Sequence, residues 1–135
     1  MRRIFAIVAL SLHLAGSDIP WTKDFETAKQ AAATEKKIVL LMFTQSGCPT
    51  CTYMEKNTFT DTAVIDYIRF HFVPVKLDIY SDTIPEGFRP LGTPTFYFTD
   101  GSGKKIARKI FGGAKAADFL RHLQNVRNDY LKNKN

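Results

Sequence analysis

Two cysteines occur in the chain, Cys48 and Cys51, with Pro49 and Thr50 between them. Thiols three residues apart can close a short disulfide, bind a soft metal ion, or exchange disulfides with other molecules, and the flanking residues weigh these options. An unbroken apolar run at 38–43 precedes the pair, followed by Gln45, Ser46 and Gly47. Tyr53, Met54 and Phe59 then fall at helix-compatible spacing, and Pro49 suits a first helical turn, where its missing N–H costs nothing. Cys48 would therefore cap a helix, where unpaired N–H groups and a partial positive charge favour a thiolate. Its pKa should fall below the free value of about 8.5. Cys51, one turn on and on the same side, would be the more buried. One thiol placed to attack and one placed to resolve the mixed disulfide is what thiol–disulfide exchange needs.

The other uses of two thiols fit less well. A purely structural disulfide would close a very short loop, and loop-entropy stabilisation grows with loop length. For a zinc site, His71 and His122 are the remaining strong ligands beyond the leader described below, and their spacing from the cysteines matches no common pattern. Delivery of a soft ion such as Cu(I) would call for a Met or His enrichment that is missing. No metal and no organic cofactor is implied.

The elements that must hold this pair follow from periodicity. Residues 24–36 form an Ala-rich helix, with Phe25, Ala28, Ala31 and Ala32 at helical spacing and Thr22 as the expected N-cap. The run 38–43, apolar throughout, reads as a strand buried on both faces. A second helix is expected over 61–70, with Val64, Ile65 and Ile68 on one face, then a buried strand over 72–78. Residues 79–91, with Pro85, Gly87 and Pro90, form a loop with room for one short helix. Thr95 to Thr99 is a strand by composition. A turn at 100–103 leads to a hairpin strand over 105–111. Gly112 and Gly113 break the chain, and Ala116, Phe119, Leu120 and Leu123 mark a C-terminal amphipathic helix. Two strands bracketing a helical crossover should be parallel, and the last two antiparallel. The expected class is α/β, a central mixed sheet with helices on both faces.

A proline at the start of the strand 95–99 is unusual, because it cannot donate to the ladder. A cis Thr93–Pro94 bond at the strand entry would account for it.

With 135 residues, 44% of them hydrophobic and 24% charged, the chain is long enough for one packed core and reads as globular. Its net charge of +6 falls to +4 without residues 1–17, which hold Arg2 and Arg3 and no acid. The basic cluster at 121–134 reads as a solvated helix face, and no stripe is dense enough for a nucleic-acid partner. Arg2 and Arg3, the apolar run from Ile4 to Leu14, and the small residues Ala15, Gly16 and Ser17 have the order of a secretory signal. That run is too short to span a bilayer, which takes about 20 residues. The expected division is a signal peptide at 1–17 and one domain at 18–135, exported to the periplasm, where an oxidising setting makes disulfide chemistry the default.

Cys-Pro-Thr-Cys after an apolar strand, and Gly92-Thr93-Pro94-Thr95 some forty residues later before an aromatic strand, resemble the two hallmarks of the thioredoxin superfamily. The resemblance covers Trp21 to about Leu131. Within the superfamily, the chain is most similar to bacterial periplasmic thioredoxin-like reductases, such as the C-terminal domain of DsbD and the SoxW-type thioredoxins. The residues after Cys51 (Thr52 to Glu55, then Thr58 to Asp61) and Trp21 ahead of the Ala-rich helix carry that likeness. It implies a thioredoxin fold, a cis-Pro94 beside the active site, and Cys48 and Cys51 as a catalytic redox pair. Thr93 and Pro94 would border the substrate groove, where an extended partner segment could pair with the Thr93 backbone. Glu55 matches an acidic position of the DsbD-like domain and is the candidate for proton transfer.

The sequence also departs from thioredoxins. Gly47 stands where they carry Trp, Met42 where they carry a buried acid, and Pro49-Thr50 where they carry Gly-Pro. With no charge between the cysteines, Cys48 gains less thiolate stabilisation than in a strong oxidant, which lowers the reduction potential. The expected activity is a protein disulfide reductase. It would act as a monomer on oxidised exported proteins and be recharged by a membrane-linked thiol donor. The alternatives are a dithiol oxidase of the same fold and a non-catalytic binding module.

Overall fold

The computed structural model describes residues 18–135, and the expected leader at 1–17 lies outside the described residues. The first helix, α1, runs Phe25–Glu35, followed by strand β1 Ile38–Thr44, helix α2 Pro49–Tyr53 and a π-helical turn Met54–Thr58. Helix α3 Thr62–His71 and strand β2 Phe72–Asp78 come next, then β3 Thr95–Thr99, the two-residue β4 Ile110–Phe111 and helix α4 Ala116–Lys134. The sheet order is β2-β1-β3-β4. β1 pairs parallel with β2 and antiparallel with β3, and β3 pairs antiparallel with β4.

β1 divides the core by parity. Ile38, Leu40 and Met42 join one apolar cluster, with the two cysteines, Met54, α3 and α4. Val39, Leu41 and Phe43 join the other, with α1 and Phe88. Alternate residues of a strand point to opposite faces, so a strand buried on both faces must be apolar at every position. Phe119 of α4 closes the first cluster, with ring centroids 5.0 Å from Phe96 and 5.7 Å from Phe59.

β2 lies at an edge, which makes Pro74 tolerable in mid-strand. The Pro74 carbonyl accepts from the Thr22 backbone N–H at 2.8 Å on the outer side, so the missing N–H faces that side too and breaks no bond to β1.

Three local expectations are corrected. Asp24, not Thr22, caps α1: its carboxylate accepts from the Thr27 N–H, which also holds its pKa below the usual value. Thr22 is instead tied to the sheet edge through Pro74 and a bridge to Val75. The hairpin strand expected over 105–111 is broken. Lys105 pairs with Thr99 and Ile110 with Phe96, so five steps along one strand face three along the other and two extra residues interrupt the ladder. Residues 79–91 are a loop as expected, and the room for a short helix is taken by turns. The helix after Cys51 widens into the π turn at Met54. Among the described residues, no helix is long and apolar enough to cross a membrane.

Phe119→Ala should lower stability by about 3–5 kcal/mol, the usual cost of removing a fully buried aromatic ring. Urea denaturation measures it, and a loss under about 1 kcal/mol would mean that α4 is not part of the cooperative core.

Candidate functional site

The chain passes from β1 to α2 through Gln45, Ser46, Gly47 and Cys48. Gly47 has φ 76°, in the left-handed region that costs a β-carbon residue energy and glycine almost none. That turn delivers Cys48 in extended conformation to the N-cap position, with Pro49 in the first helical turn. The Cys48 sulfur fills the capping role, accepting the Cys51 backbone N–H at 3.1 Å. Cys48 and Cys51 are joined as a disulfide, with Cα atoms 5.3 Å apart.

Cys51 is the more buried of the two, as expected, but by a narrow margin: Cys48 is 6% and Cys51 4% exposed. The asymmetry between them lies in hydrogen bonding. A negative charge on Cys48 would be stabilised by the helix N–H it already accepts.

The opposite wall is the strand entry before β3. The Thr93–Pro94 peptide bond is cis, and Thr93 O lies 3.6 Å from Cys48 Sγ. While the disulfide is closed that sulfur has no proton to give, so the approach is a contact. Once it opens, the thiol can donate to the carbonyl. Cys48 therefore stands between a group that favours its thiolate and one that favours its thiol. The segment is fixed on both sides: Thr95 Oγ1 donates to Gly92 O at 2.7 Å, and the Gly112 N–H donates to Pro94 O at 2.9 Å.

A second clamp holds the helix itself. The Gly113–Ala114 backbone lies against α2 and the π turn. A Cβ at Gly113 would stand 2.6 Å from Thr50 Cγ2, so any larger residue there forces Thr50 or the backbone to move. Thr58, fully buried inside the π turn, donates its hydroxyl to Ala114 O, and the Ala114 N–H approaches Met54 Sδ at 3.3 Å. The widened turn thus satisfies a buried hydroxyl.

The structure brings Cys48, Cys51 and Thr93 together, whereas Glu55 makes its contact elsewhere. Its carboxylate pairs with Lys76 Nζ at 2.6 Å, both side chains about one-third exposed. Lys76 also sits 4.9 Å from the centre of the Trp21 ring, which packs edge-on against Phe59. Lys76 lies opposite Met42 in the β1–β2 register. Sequence reasoning missed Lys76. The signal was there: it is the one cation in 72–78 and shares the parity of Phe72, which joins the cluster around the cysteines.

Residues 79–91 border the site. With Gln45 and Gly92 they line an open groove of about 720 Å³ that includes Tyr80 and Leu91, 83% and 93% exposed. Asp78 anchors the start of the loop. Its carboxylate accepts from the Tyr80 and Ser81 N–H groups, which hold its pKa below the ordinary value. Among the described residues, no three His, Cys, Asp or Glu side chains are grouped to hold a metal ion.

Gly113→Ala should lower stability by about 1–3 kcal/mol by driving a methyl group into Thr50. In the double variant with Thr50→Ser, which removes the opposing methyl, most of that loss should return. Urea titration of the two single variants, the double variant and the parent tests this, and strictly additive losses would show that the two residues do not meet.

Comparison with known proteins places this geometry. Residues 25–127 match the thioredoxin-like domain family. The thiol:disulfide interchange protein DsbD of Pseudoalteromonas atlantica is 33% identical over 109 residues, 76% of this chain and 18% of that protein. The chain thus spans less than a fifth of the length of this curated relative. Among solved structures, a thioredoxin from Thermus thermophilus superposes with a TM-score of 0.67 at 26% identity, covering 81% of this chain and 87% of its own. The periplasmic thioredoxin SoxS from Paracoccus pantotrophus gives 0.55 at 25% identity, covering 69% and 98%.

Proposed function

The chain belongs to the thioredoxin-like domain family, and from that premise we propose that it is an exported protein disulfide reductase working through Cys48 and Cys51. The observation that carries this reading is the cap geometry: the Cys48 sulfur accepts a helix N–H and is disulfide-bonded to the residue one turn on.

In the proposed cycle, the Cys48 thiolate attacks one sulfur of a partner disulfide. A mixed disulfide forms, and the partner's other sulfur leaves as a thiolate and takes up a proton. Cys51 then loses its proton and attacks Cys48 Sγ. The Cys48–Cys51 disulfide closes and the second partner sulfur departs. Two electrons and two protons pass to the partner, and a membrane-linked thiol donor returns the pair to the dithiol. Glu55, four residues beyond Cys51, is the proposed acceptor of the Cys51 proton, with Lys76 holding its carboxylate. Thr93 and Pro94 form the proposed seat for an extended partner segment. The exposed Tyr80 and Leu91 offer apolar contacts beside it, so the loop at 79–91 would shape partner choice. The likeness to DsbD and to a periplasmic thioredoxin supports the placement outside the cytoplasm. Residues 1–17, with the residue order of a secretory signal, are the proposed export signal, and 18–135 the proposed monomeric domain.

Either Cys48→Ser or Cys51→Ser should abolish insulin reduction with dithiothreitol as donor. Cys51→Ser alone should accumulate mixed disulfides with partner proteins, because only Cys48 attacks. Trapping through Cys51 in the Cys48→Ser variant instead would reverse the assigned roles. Glu55→Gln should slow resolution of the mixed disulfide by at least about tenfold and flatten its pH dependence in rapid-quench experiments. An unchanged rate and profile would leave Glu55 as only the partner of Lys76.

A further inference from the structure

The pole of the sheet opposite the disulfide, where β1 begins, is strongly cationic. The α1–β1 turn and the C-terminal ends of α3 and α4 enclose a cleft of about 340 Å³, lined by Lys36, Lys37, Arg127 and Lys134 against the single carboxylate of Glu35. Glu35 pairs with Lys37, which also donates to Arg69 O at 2.8 Å. His71 lines the same cleft. Its ring is held below the usual imidazole value by desolvation first, then by Arg127 and Lys37, so their field reaches into the cleft.

Two apolar side chains of the same cleft stand in solvent, Phe70 at 69% and Leu131 at 42% exposed. An exposed phenyl and an exposed leucine set among four cations suit the boundary between lipid headgroups and acyl chains, where apolar side chains dip in and cations meet phosphates. The chain also enters the fold here. Arg69 Nη2 donates to Asp18 O at 3.1 Å, so the first described residue is tied to the C-terminal turn of α3, one residue before Phe70 in the sequence.

We propose that this pole is a membrane-docking face that seats the domain on an anionic phospholipid surface. Phe70 and Leu131 enter the headgroup boundary, and Lys36, Arg127 and Lys134 meet the lipid phosphates. β1 is seven residues long and runs from this pole toward Cys48, about 20 Å at the usual rise per residue. Docking would therefore hold Cys48 and Thr93 away from the bilayer and open to partners arriving from the aqueous side. The proposal does not depend on the direction of electron flow.

Co-sedimentation of the full chain with vesicles tests it. Binding to mixed phosphatidylglycerol–phosphatidylcholine vesicles should clearly exceed binding to phosphatidylcholine alone and weaken as salt rises. Arg127→Gln with Lys134→Gln should weaken it by about 25-fold, roughly fivefold for each cation lost. Phe70→Ser should weaken it with no change in charge. All these variants should keep wild-type insulin reduction, which shows that they are folded. On adding phosphatidylglycerol bicelles, the His71 titration followed by NMR should move upward. Wild-type binding by the Arg127/Lys134 variant, or equal binding to neutral vesicles, would overturn the proposal and assign the contact to residues 1–17 or another face. Displacement by inorganic phosphate, but not by chloride at equal ionic strength, would also overturn it and leave an anion pocket.

Discussion

Four residues connect the central strand to the helix that carries the cysteines, and the geometry of the site hangs on that short connection. β1 is buried on both faces and fixed by ladders to β2 and β3, so its end at Thr44 has no freedom to shift. Gly47 reverses the chain in a conformation that suits glycine, and Cys48 arrives at the helix end with its sulfur as the cap. Its environment is then set by two backbone groups, the Cys51 N–H and the Thr93 carbonyl, each belonging to a separately anchored segment. A sulfur tuned by backbone rather than by a neighbouring charged side chain responds mainly to the placement of α2, which the Gly113–Ala114 clamp maintains.

The charged groups near the site are arranged differently from the thioredoxin pattern. Where thioredoxins bury an acid in the strand, this chain has Met42, packed and fully enclosed. Glu55, from the helix side, meets Lys76 of β2, which lies opposite Met42 in the strand register. Both partners remain partly exposed, which spares them the desolvation cost of a buried ion pair. Trp21 and Phe59 pack beside Lys76, so the segment before α1, the π turn region and β2 converge on this pair.

The sequence was most readable where the physical constraint is local and repeated. The uninterrupted apolar stretch at 38–43 reads as a strand with two buried faces, and the strands 72–78 and 95–99 follow from composition and periodicity with matching boundaries. Position between strand and helix was enough to place Cys48 at a cap. Features that depend on distant segments were hidden. Thr22 looks like a helix cap until Pro74 is seen offering it a carbonyl, and Gly113 looks like a chain breaker until Thr50 is found against it. The π turn was invisible because its buried hydroxyl partner lies 56 residues away in sequence. The bulge between Lys105 and Ile110 escaped for a related reason: composition indicates strand tendency, whereas register depends on which residues the neighbouring strand can accept.

The central claim is that Cys48 and Cys51 form a reversible redox pair poised to give electrons to partner disulfides. Equilibration of the protein with glutathione redox buffers, read as the fraction of Cys48–Cys51 disulfide, tests it most directly. The account predicts a potential near that of thioredoxin, about −270 mV, because no charged side chain lies between the cysteines to stabilise the Cys48 thiolate further. A value near about −120 mV would contradict it and identify a thiol oxidase.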